Sequence, residues 1–128
     1  MLLSFVLAAC GAGGAQTGDA ANGENLFSGA SPIAGGNAPV CADCHSIESG
    51  AMSTIGPNLS NIGNRAAATV AGQPATDYLR VAIVDPDAFL AGGFQEGIHP
   101  RDYGSVLTRP QLNDLIAYML TLQSGQDS

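Results

Sequence analysis

The sequence predicts a small all-α domain with long irregular loops, and three observations carry that expectation. No stretch alternates apolar and polar residues in the way a half-buried strand does. Apolar residues recur instead at helical spacing, most clearly near the end, where Leu112, Leu115, Ile116, Met119 and Leu122 follow a helix-start signal. Between the helical stretches, residues 28–40 and 86–107 are broken by Gly and Pro, the composition of chain that turns rather than continues.

The elements follow in order. Residues 2–9 form an apolar run ending at Cys10, far short of the roughly 20 residues a membrane-spanning helix needs. A short apolar run closed by small residues is what the cleavage end of a secretory signal looks like. Leu7-Ala8-Ala9-Cys10 also resembles the bacterial lipoprotein cleavage box, which implies a lipid attached to Cys10. Residues 1–9 then read as a signal-like segment and 10–18, which include GAGGAQTG, as a lipid-anchored flexible tether. Residues 19–128 form one domain. Asp19 caps a first helix that runs to about Phe27, with Gly23 leaving room for another helix. Residues 28–40 (SGASPIAGGNAPV) are an irregular loop of unusual length. A second helix runs from Gln73-Pro74 to about Asp85, with Tyr78, Leu79, Ala82 and Ile83 as its apolar stripe and Pro86 as its stop. Residues 86–107 are again irregular. In the last element, Thr108-Arg109-Pro110-Gln111 is a capping box ahead of the closing helix.

Composition limits what such a domain does. At 128 residues there is room for one compact domain at about 100–200 residues each. Eleven acidic residues stand against four cationic ones, all Arg, for a net charge of −7, so nucleic acid is excluded as a partner for want of a basic stripe. Aromatic residues are only 5% of the chain, with no Trp, so the core is thin and a bound prosthetic group would supply missing apolar surface. Three Cys cannot all pair within the chain, so at least one thiol has another role. Asp and Glu form no paired arrangement suited to acid–base catalysis.

The specific motif is Cys41-Ala42-Asp43-Cys44-His45. Two thiols separated by two residues can add to the vinyl groups on one side of a haem, and the His that follows is placed to bind its iron. The same CxxC could hold half a zinc site, but the other ligands would have to be Cys10 and His99. It could also be a dithiol redox pair, but that motif sits in a βαβ pattern the chain lacks. Covalent haem c, one per chain, is the favoured reading. Such attachment takes place outside the cytoplasm, in agreement with the export signal.

With these residues in view, the chain resembles the small class I c-type cytochromes over nearly all of residues 19–123. The matching features are Gly23 and Phe27, the CADCH motif, Gly56-Pro57-Asn58-Leu59, Tyr78-Leu79 with Asp85-Pro86, and LTRPQLNDLIAYMLTL at 107–122. The resemblance implies an all-α fold in which the first and last helices cross beside one haem, Gly23 meeting the neighbourhood of Tyr118. It also implies that the Pro57 carbonyl accepts the His45 Nδ1–H, presenting Nε2 to iron. Where similar cytochromes place a Met ligand, within Gly-x-Met-Pro followed by Tyr-Gly, this chain has Gly97-Ile98-His99-Pro100-Arg101-Asp102-Tyr103-Gly104. His99 therefore becomes the expected sixth ligand, with Met119 read as core and Met52 as too near His45 along the chain to reach the opposite face. The resemblance also places Arg65 and Arg101 near the haem edge, where a guanidinium can hold a propionate, and makes Tyr103 a further candidate for a haem contact, which packing alone would explain equally well.

The function expected on this basis is one-electron transfer rather than substrate turnover. Redox proteins are the expected partners, as other subunits of a membrane complex, with the acylated Cys10 in the periplasmic or extracytoplasmic membrane face. Anchored cytochromes with a long loop before the haem motif look like the mono-haem subunit of alternative complex III, or a cytochrome domain serving a terminal oxidase. The competing reading is a haem sensor or peroxidase-like protein whose sixth ligand dissociates. A third is a haem that only staples the domain within an assembly.

Overall fold

A computed structural model describes residues 17–52 and 55–123. Cys10 and the signal-like segment lie outside the described residues. The described residues hold five α-helices: α1 Ala20–Ser28, α2 Ile62–Thr69, α3 Ala75–Val84, α4 Tyr103–Val106 and α5 Arg109–Thr121. There is no strand among the described residues, and short 3-10 turns at Ala34–Gly36, Cys41–Asp43 and Pro86–Ala88 punctuate the loops. No helix among them is long and apolar enough to cross a membrane.

The frame of the molecule is the crossing of α1 and α5. The Asp19 side chain caps α1 by accepting from the Ala21 and Asn22 amides at 2.9 and 3.2 Å. Asp114 of α5 then binds that end of α1, taking the Asp19 amide at 2.7 Å and the Asn22 side-chain amide at 2.6 Å. A carboxylate at a helix N-terminus also meets the positive end of the helix dipole. Gly23 makes the close crossing possible, because a Cβ there would run into the Asp114 carbonyl and lie 2.8 Å from Tyr118 Cβ. Gly18, assigned to the tether from the sequence, is already packed against the Asn113 backbone. Phe27 and Tyr118 meet across the crossing with ring centres 5.5 Å apart. Gly23→Ala is expected to cost about 3 kcal/mol, the upper end for overpacking a tight contact, measured by denaturant unfolding of the haem-loaded protein.

The closing helix carries the predicted capping box, with the Thr108 amide donating to Gln111 Oε1 at 3.0 Å and the Gln111 amide to Thr108 Oγ1 at 3.3 Å. Its inner face buries Leu112, Leu115, Ile116, Tyr118 and Met119. Helix α3 is tied to it by Arg80, which donates to Asn113 Oδ1 at 2.8 Å. Helix α3 starts at Ala75, with Pro74 as its N-cap, rather than at Gln73-Pro74. Helix α2, a feature the sequence does not announce, buries Ile62 and Ala66. It approaches the end of α5 through Gly63, whose amide donates to the Leu122 carbonyl at 2.9 Å. Helix α4 is a single turn inside the segment read as irregular.

Candidate functional site

The site is built on a turn. The amides of Cys44 and His45 both donate to the Cys41 carbonyl, at 3.1 and 3.0 Å. This winding brings Cys41, Cys44 and His45 onto the wall of one cavity. The following segment folds back on the turn, the Gly56 amide donating to the Cys44 carbonyl at 3.1 Å and the Leu59 amide to the Ser46 carbonyl at 2.8 Å. Pro57 is thereby brought over the His45 ring, and its carbonyl accepts from Nδ1 at 2.8 Å. A carbonyl can only accept, so Nδ1 carries the proton and Nε2 keeps its lone pair. Gly56 leaves the ring its place, since a Cβ there would lie 2.6 Å from His45 Cε1. Burial holds the imidazole below its ordinary pKa, against the raising effect of the Pro57 bond, so it is neutral at pH 7 and able to ligate.

His99 comes to the same cavity from the long loop between α3 and α4. Its Nδ1 donates to the Pro100 carbonyl at 2.9 Å, which again leaves Nε2 as the free nitrogen. The two imidazole rings stand 6.1 Å apart, centre to centre, at 53°. Two opposed imidazoles sharing one metal ion at about 2.0–2.1 Å per bond have ring centres roughly 6 Å apart. Tyr103 packs its ring edge-on against His99, with centres 5.6 Å apart. The Tyr103 hydroxyl donates to the Pro39 carbonyl at 2.6 Å, joining the His99 side of the cavity to the chain just ahead of Cys41.

The walls decide what can lie between these groups. Phe27, Leu59, Ile62, Leu79, Leu115 and Met119 present apolar surface, which suits the faces of a porphyrin and not a hydrated ion. Among the described residues no group of three or more His, Cys, Asp or Glu could hold a metal ion, so a four-ligand zinc site is not available there. Burial pushes the Cys41 thiol up to about 11, the reverse of the depressed value a reactive dithiol or zinc ligand has. A porphyrin carrying its own four nitrogens would need from the protein two thiols and an imidazole, which Cys41, Cys44 and His45 could supply, with His99 as a second imidazole on the same cavity wall.

Residues 20–123 match the sequence profile of the family described as Cytochrome c. The chain belongs to the cytochrome c family. It carries one covalent haem c, for which Cys41, Cys44 and His45 form the attachment motif, and the family's work is haem-based electron transfer. A chain of the crystal structure of SoxXA from P. pantotrophus has the same fold, with a TM-score of 0.51, 22% identity and 85% of each chain covered.

The remaining predicted residues of this cytochrome are placed as follows. Arg65 lines the cavity, while its Nη2 and Nε donate to the Asn58 carbonyl at 2.7 Å and to Asn61 Oδ1 at 3.1 Å. It therefore braces the segment that positions Pro57. Arg101 is not among the cavity-lining residues. Its guanidinium pairs with Asp87 at 2.5 Å and Glu96 at 3.4 Å, so it is engaged by carboxylates of its own chain. Met52 is 91% exposed, whereas Met119 is buried and lines the cavity. Two residues were not foreseen. Asn58 donates to the Glu48 and Ala51 carbonyls at 2.8 and 3.0 Å and accepts the Ser60 amide at 2.8 Å, and its position right after Pro57 was the available clue. Asp87 binds partners 10 and 14 residues further along an irregular loop, a pairing that leaves no periodic signal.

Proposed function

We propose that this cytochrome passes single electrons with its iron held between His45 and His99. The observation that carries the proposal is the pair of imidazoles 6.1 Å apart, each with Nδ1 bound to a proline carbonyl and Nε2 left to ligate. Haem bound there supplies reversible one-electron chemistry. The chain's part is to hold both axial nitrogens in fixed tautomers, so that little rearranges when the charge changes, and to keep water from the faces with an apolar wall. Pro57 makes His45 a better donor by taking its Nδ1 proton into a hydrogen bond. Arg65, Tyr103 and Arg101 act at the margin, the first two as cavity-wall groups and Arg101 through the loop that carries His99.

The same proposal places the domain at an extracytoplasmic membrane face through an acylated Cys10, as a subunit of a respiratory or photosynthetic complex. The signal-like run ending at Cys10 supports that placement. The mono-haem subunit of alternative complex III is the specific assembly favoured. With a net charge of −7 before the haem propionates are added, its redox partner is expected to present a basic or apolar docking face.

The experiment is a redox titration of the haem-loaded protein beside its His99→Met variant. A thioether favours reduced iron over a second imidazole, so the variant should titrate higher by roughly 0.1 V or more, within the ~0.8 V that axial ligation commands. Equal potentials with unchanged spectra would remove His99 from the iron.

A further inference from the structure

The loop that brings His99 to the cavity has little to hold it. Among the described residues, the only backbone–backbone hydrogen bond within positions 89–101 runs from the Phe94 amide to the Ala91 carbonyl, at 3.2 Å. Besides the ring contacts of Phe89 with Tyr78 and of His99 with Tyr103, what fastens it is a carboxylate at the start of the loop. Asp87 sits in the 3-10 turn that follows α3, and its side chain is only 19% exposed. One of its oxygens accepts the Gly97 amide at 3.0 Å, and the other pairs with Arg101 at 2.5 Å. Gly97 and Arg101 lie two residues before and two residues after His99. A single side chain therefore grips both flanks of the residue that faces the iron position. Gly97 has φ +80, a left-handed conformation that suits glycine and turns its amide toward the carboxylate. Glu96 adds a weaker second partner for Arg101 at 3.4 Å, both groups being largely exposed.

We infer that Asp87 is a positioning residue for the sixth ligand, a latch that keeps His99 on the iron by closing its loop against the turn after α3. The inference rests on the reading of His99 as the axial ligand. Bonds to a charged acceptor are among the stronger ones a side chain makes, and losing two of them frees both flanks of His99 together. The iron–nitrogen bond must then hold the loop in place without help, so His99 leaves more often. The haem is still attached through Cys41 and Cys44, and His45 is untouched, so the change is confined to one face.

The test is CO uptake by the reduced holoprotein, followed by rapid mixing. While His99 occupies the iron, uptake is limited by its departure. Asp87→Ala should speed uptake about tenfold or more. Asp87→Asn, which keeps an acceptor for Gly97 but loses the charge, should fall between that variant and the unsubstituted protein. Arg101→Gln, at an exposed position, should give about a twofold to fivefold gain. Thr108→Ala, which removes the cap of α5 and is not on the cavity wall, serves as the control for general destabilisation and should leave the rate unchanged. If Asp87→Ala does not fold, Asp87→Asn and Arg101→Gln carry the comparison. A six-coordinate protein whose CO rate is the same in all these Asp87 and Arg101 variants overturns the latch and leaves His99 ligation standing. Immediate CO uptake by the unsubstituted protein, as in a five-coordinate haem, overturns both.

Discussion

Replacing Cys41 and Cys44 together by serine is expected to give a protein that loses its haem to acidified organic solvent and no longer unfolds cooperatively. The first effect is chemical, because serine cannot form the thioether to a vinyl group. The second follows from where the core lies. Phe27, Leu59, Ile62, Leu79, Leu115 and Met119 are all buried and all line the same cavity. Their inner surfaces would pack on a bound porphyrin, which would take the place of the large rings the sequence lacks. At about 0.05–0.15 kcal/mol per residue, a domain of this size has little stability in reserve, and a group that binds only the native state contributes through its occupancy. Once that group can leave, the contribution leaves with it. Haem staining of a denaturing gel measures the attachment, and circular dichroism against temperature measures the fold. Staining that survives the double substitution would contradict the account.

His99→Ala should turn a closed haem into an open one. The reduced variant is expected to take up CO at least about a hundredfold faster than the unsubstituted protein, because no ligand need depart, and the ferric form should shift toward high spin with a weak ligand in place of imidazole. Among the described residues, the two methionines that could replace His99 are differently placed. Met52 is exposed, and Met119 belongs to α5 and its buried face. The variant also separates electron transfer from the sensor or peroxidase-like alternative. If that alternative described the unsubstituted protein, CO uptake would already be fast and the substitution would change little.

What the sequence disclosed depended on how local each signal was. The capping box at Thr108 and Gln111 and the Asp19 cap are complete within a few residues, and both helices start where those residues predict. The attachment motif is five residues long and equally legible. Gly23 was informative because a helix crossing this tight admits only glycine. Helix α2 was not legible for a physical reason: its buried face consists of Ile62 and Ala66 alone, too few apolar positions to establish a period. Its Gly63 lowers helix propensity while serving the contact with α5. The Asn61 ahead of it makes no capping bond. The pairing of Arg101 was hidden for another reason: it depends on where Asp87 comes to rest, and nothing in the spacing of an irregular segment specifies that. The place of His99 on the cavity wall was suggested only by a departure from a resemblance, since a single histidine carries no pattern of its own.

Near-infrared absorption of the oxidised, haem-loaded protein bears most directly on the central claim, that the iron lies between His45 and His99. A methionine ligand gives ferric haem a sulfur-to-iron charge-transfer band in that region, and two imidazoles do not. The spectrum is expected to lack the band while the visible absorption remains that of six-coordinate, low-spin iron. A clear sulfur-to-iron band would put a methionine on the iron and remove His99 from the site.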